Sequence, residues 1–147
     1  MRKRFLAFSA AAATALLVQL AASPASATSA NYDEGCFTGS VLMAGASGGG
    51  KWDFESKTRL NPMTLSVSDR RADGHHVAVG LVTRRSNGTD HAWPLHHLYA
   101  GSGTSQSFGT SASDAGGIRQ AWVQVFVLEG NKVLEACVTP KANNLHW

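Results

Sequence analysis

The sequence predicts an all-β domain: an antiparallel β-sandwich of roughly seven or eight short strands, or a small barrel, with one disulfide and a signal peptide in front. Three observations lead there. Short alternating or continuous apolar runs recur between Gly, Asp and Asn turn signals. No stretch beyond residue 27 shows the 3.6-residue apolar period of an amphipathic helix, and no internal repeat is present. Only two cysteines occur, Cys36 and Cys137, far apart in the chain.

The leader comes first. Met1-Arg2-Lys3-Arg4 is a compact positive cluster, Phe5 to Ala22 is apolar and uncharged, and Ala25-Ser26-Ala27 has the small-x-small pattern of a cleavage site. Pro24 ends an apolar helix and leaves those small residues extended. An uncleaved anchor is the alternative; Gln19, the many alanines and the cleavage pattern weigh against it. The expected organisation is a signal peptide over 1–27, a flexible lead over 28–34 and a single all-β domain over 35–147. The expected location is extracellular, with membrane contact only through the cleaved leader.

Removing the leader changes the charge. The whole chain has 13 Lys and Arg against 10 Asp and Glu. Arg2, Lys3 and Arg4 are three of those positives, so the remainder is formally neutral. A neutral domain lacks the basic field that nucleic-acid binding needs. Arg70-Arg71 and Arg84-Arg85 are the local basic pairs, and solvated strand ends explain them.

In an exported chain Cys36 and Cys137 are expected to form one disulfide tying the first strand to the last. Neither cysteine is near a second cysteine or a histidine, as a redox or metal pair would require.

The strands follow in order. Cys36 to Met43 reads as the first and Lys51 to Ser56 as a short second. Thr64 to Ser68 alternates with the period of a half-buried strand. Asp73-Gly74 is a reversing pair before His76 to Thr83, where Val77, Val79 and Leu81 share a face. Asn87-Gly88 is a second tight turn. Its partner segment, Ala92 to Tyr99, contains Pro94 and therefore reads as an edge or bulged strand. Residues 101–117 are small and polar, with Phe108 as one aromatic anchor. Ala121 to Leu128 is the strongest strand and reads as central. Glu129 to Lys132 turns it into Val133 to Val138. The expected core face is Val77, Val79, Leu81, Val123, Val125 and Val127.

Few motifs carry chemistry. Gly45 to Lys51 matches most of a P-loop, but Trp52 stands where a magnesium-binding Ser or Thr is needed, so it reads as a flexible glycine loop. Asn87-Gly88-Thr89 fits a glycosylation pattern, yet the turn explains it. Six histidines occur, five of them as His75-His76, His91 and His96-His97. A hairpin about Asn87-Gly88 places His96-His97 opposite Val79-Ala78, and His75-His76 opposite Tyr99-Ala100. Adjacent strand residues point to opposite faces, so each pair offers one ligand per face. No metal and no cofactor are expected; His75, His76 and His97 come nearest to a metal set. If Pro94 keeps the phase, alternation lines up His91, Trp93, Leu95, His97 and Tyr99. That makes His91, Trp93, His96, His97 and Tyr99 the candidate binding residues. No G-x-S-x-G, H-E-x-x-H or paired carboxylates mark an active site, and no catalytic residue is assigned.

Asp73-Gly74-His75-His76-Val77-Ala78-Val79, Trp93-Pro94-Leu95-His96, Gly116-Gly117-Ile118-Arg119 and Val123-Gln124-Val125 together resemble a type of small secreted actinomycete β-domain protein. The resemblance spans most of residues 64–138. It implies export and an all-β domain, and it brings no catalytic residue.

The expectation is therefore a monomeric, secreted, non-enzymatic accessory or binding protein for an extracellular protein or glycan. The alternatives are a protease inhibitor presenting 44–51 or 101–117, and a small metal-dependent or hydrolytic enzyme.

Overall fold

Residues 32–147 are described by the structure, a computed structural model; the expected leader lies outside them. Ten strands form: β1 (Tyr32–Phe37), β2 (Ala46–Ser56), β3 (Arg59–Asp69), β4 (His76–Arg84), β5 (Asp90–Ala92), β6 (His96–Leu98), β7 (Ser105–Ser113), β8 (Gln120–Glu129), β9 (Lys132–Val138) and β10 (Ala142–Asn143). All pairings are antiparallel. The first sheet runs β1-β2-β3-β7. The second is centred on β4 and β8, with β5 and β6 sharing the far edge of β4, and β9 and β10 sharing that of β8. The two extra strands relative to expectation come largely from such divided edges.

The five valines and one leucine expected to face the core do so. Val77, Val79, Leu81, Val123, Val125 and Val127 pack with Trp52, Leu60, Leu65 and Val67 of the first sheet. Alternation thus sets the register, since a one-residue slip would turn all six away from the space between the sheets. The disulfide links Cys36 to Cys137, with Cα atoms 6.0 Å apart. It staples β1 of one sheet to β9 of the other; β10, not β9, is the last strand.

The N-terminal third departs most from expectation. The first strand covers 32–37 instead of 36–43, so Tyr32 to Glu34 belong to a ladder and not to a flexible lead. Ser40 to Met43 form a turn, closed by the Met43 N–H donating to the Ser40 carbonyl, and Val41, Leu42 and Met43 are exposed there. The expected glycine loop is strand β2, paired on both sides. Gly48 and Gly50 face inward, where a Cβ would lie 3.0 Å from Val125 and from Val123 respectively. The sheets approach too closely there for any side chain, which is why glycine sits inside a buried strand. With both edges of Gly48-Gly49-Gly50 in ladders, no free nest of N–H groups remains for a phosphate.

One end of the sandwich is held by charge. Arg71 donates to Asp73 at 2.7 Å, to Glu135 of β9 at 2.5 Å and to the Met43 carbonyl at 3.2 Å. The Arg71 guanidinium holds the Glu135 carboxyl below its usual range. Thr38, fully buried, exchanges hydrogen bonds with Ala46 and fixes the start of the turn.

Candidate functional site

The site begins with Pro94. Val82, Thr83 and Arg84 of β4 pair with Ala92, His91 and Asp90 of β5, and Val77, Ala78 and Val79 of β4 pair with Leu98, His97 and His96 of β6. Residues 93–95 therefore span a gap that only Gly80 and Leu81 occupy on β4, which is a bulge. Proline supplies no N–H to the ladder, while the Trp93 N–H still donates to the Leu81 carbonyl at 3.0 Å. The expected pairing of His96-His97 with Val79-Ala78 holds; His91 lies opposite Thr83, one residue from the expected Arg84.

The extra residue inverts the phase, so the expected single strip does not exist. His91 and Trp93 sit on the core side with Thr83 and Leu81. Leu95, His97 and Tyr99 are on the outer side, with Leu95 lying over Gly80. His96 turns inward with Leu98. The candidate residues thus divide into two groups, on opposite faces of one sheet.

Trp93 and His96 of the inward group line a crevice of about 190 Å³ between the open edges of the sheets. Its walls are Met63 and Leu65 of β3, Leu81 of β4, Trp93 and Pro94 of the bulge, His96 of β6, and Thr110 and Ser111 of β7. Trp93 packs on the core while its indole N–H donates to Thr83 Oγ1 at 3.1 Å. His91 meets it edge-on at 4.9 Å between ring centroids, and His96 stacks on Phe108 of β7 at 4.7 Å. Four strands far apart in sequence make this crevice. Met63 and Thr110 carried no local signal and Leu81 signalled only a core face, because only the facing of the two sheets brings them together.

The outward group is His76, His97 and Tyr99. The His76 ring lies 4.5 Å from Tyr99 and 5.3 Å from His97, and His97 lies 5.6 Å from Tyr99. His75 makes no ring contact with this group. Burial lowers the His76 pKa, and the charges of His97 and His75 lower it further. On the neighbouring strand β8, His76 faces the apolar Leu128. A lowered imidazole pKa favours the neutral form in the folded state. The unfolded chain then takes up more protons as acid is added, so this stability is full above about 6.5 and lost as pH falls through the folded pKa. We expect the melting temperature to fall between pH 7.5 and 5 in the wild type and to fall less in His76→Gln; equal slopes in thermal scans would contradict this.

Among the described residues no histidine ring hydrogen-bonds to a Ser, Thr, Asp or Glu side chain, and no cluster of three or more His, Cys, Asp and Glu gathers around one point. His146 is taken up by the Phe54 carbonyl at 2.6 Å. Residues 46–51 and 105–113, within the two segments considered as inhibitor loops, are strands. No helix among the described residues is long and apolar enough to cross a membrane. No protein-family model matches the chain, and no curated protein or solved structure is significantly similar to it.

Proposed function

We propose that this is an exported, non-enzymatic binding protein whose ligand places an apolar group in the crevice under Pro94. The observation that carries the reading is the bulge. It spends a residue of strand pairing to set Trp93 and His96 over an opening lined by Met63, Leu65 and Leu81. Pockets that bind whole small molecules usually measure about 300–1,000 Å³. A crevice of about 190 Å³ suits a single side chain or ring, which favours a protein partner over a free metabolite. A flat glycan platform would need Trp93 and Tyr99 coplanar and exposed on one face. They lie on opposite faces, and Trp93 is half-buried. The disulfide supports an oxidising, extracellular setting.

NMR titration of the oxidised, ¹⁵N-labelled protein tests this, with indole and N-acetyl-leucinamide as apolar probes and N-acetylglucosamine as a sugar probe. The apolar probes should shift the amides of Leu81, Trp93, His96 and Thr110 at millimolar concentration, and Thr110→Phe, which fills the mouth, should remove the response. No apolar response, or shifts confined to the outer face of either sheet, overturns the reading.

A further inference from the structure

We propose that His76 and His97 form a two-imidazole site for a divalent transition-metal ion, copper(II) in preference to zinc, on the outer face of the second sheet. The site is independent of the crevice, since the two lie on opposite faces of β4 and β6. His76 opens β4, and His97 of β6 is paired with Ala78, so the two histidines are diagonal neighbours on one face. Diagonal positions across a ladder lie within reach of long or aromatic side chains. Here the ring centroids are 5.3 Å apart, with planes tilted by 39°.

The decisive feature is polar. His76 Nε2 and His97 Nδ1 are both buried, and neither has a hydrogen-bond partner in the protein. A buried imidazole nitrogen without a partner is costly, and two in adjoining rings call for an explanation. A cation shared between lone pairs satisfies both at once. Tyr99 stacks against both rings. Neutral imidazole is the ligating form.

Imidazole ligands suit copper and zinc, and a nitrogen set binds copper(II) more tightly. Structural zinc sites use four protein ligands, so two rings completed by water favour copper and make an exchangeable site. No acidic side chain joins them, and the bound ion keeps most of its positive charge.

Calorimetric titration of the oxidised protein with copper(II) chloride and, separately, zinc chloride at pH 7.4 tests the assignment. The wild type should bind one copper ion in its tightest phase, more tightly than zinc. His76→Gln and His97→Gln should each weaken that phase tenfold or more, while His91→Gln and His96→Gln should leave it unchanged. Absence of a copper phase in the wild type, or wild-type affinity in both His76→Gln and His97→Gln, overturns it. Electron paramagnetic resonance of the copper-loaded wild type decides the case even if a variant misfolds: coupling to two imidazole nitrogens supports the site, and coupling to one or none sinks it.

Discussion

A Cys36→Ser/Cys137→Ser double variant is expected to lose roughly 4–5 kcal/mol of stability, because the closed loop spans 101 residues and chain entropy lost by the unfolded state grows with loop length. The position of the bond adds a second consequence. It crosses from β1 to β9, between the sheets, at the end where Arg71 and Glu135 also meet. Without it, β1 is held to the body by β2 on one edge alone and by the packing of Tyr32 on Trp52 and Phe54. Urea unfolding followed by tryptophan fluorescence measures the loss. Native-state hydrogen exchange should show β1 and β9 opening before β4 and β8. A loss below about 1 kcal/mol would mean that the staple adds nothing the ladder lacks.

Gly49→Ala should cost more than about 3 kcal/mol, placing it among the severe single substitutions. A Cβ at Gly49 would run into the Glu34 carbonyl oxygen and come within 2.8 Å of Gly35 Cα, and these are backbone atoms of the paired strand that cannot swing aside. Gly48→Ala meets the Ser66 carbonyl at 2.5 Å and should behave similarly. Gly109→Ala is the control: a Cβ there meets nothing within 4 Å, and the effect should stay within about 0.5 kcal/mol. Thermal melts of Gly49→Ala and Gly109→Ala differing by less than a few degrees would show that β1 moves away from β2 at no cost.

The glycine run shows where local reading stops. By composition, Gly48-Gly49-Gly50 is a loop, and intrinsic strand propensity agrees. What puts it in β2 is the approach of Val123 and Val125 from the other sheet and of β1 from the side, contacts whose partners lie 14 to 77 residues away. The turn at Ser40–Met43 is the converse: an apolar run that reads as strand is left at the surface because Cys36 and Thr38 are already committed to pairing with β2. The candidate site divides in the same way. Pro94 announced an interruption in the hairpin, but whether that interruption kept or inverted the phase depended on how many residues β4 placed opposite it. Inversion separated His91 and Trp93 from Leu95, His97 and Tyr99 and put Trp93 on the same side as His96, and so made one strip into a crevice and an outer cluster.

By itself the sequence determined an all-β fold, the tight turn at Asn87-Gly88, the core face of β4 and β8, and the one possible disulfide; Asp73-Gly74, read as a reversing pair, instead bends the crossover from β3 to β4 of the other sheet. These follow from local rules: a period of two, a positive φ at Gly88, and a count of two cysteines. Only the tertiary structure decided that the glycines are buried strand, that the cysteines bridge two sheets, and that His76 and His97 share a face with unpartnered nitrogens. Each of those depends on what a second segment places at van der Waals distance, and a one-dimensional pattern carries no information on separations between strands distant in the chain.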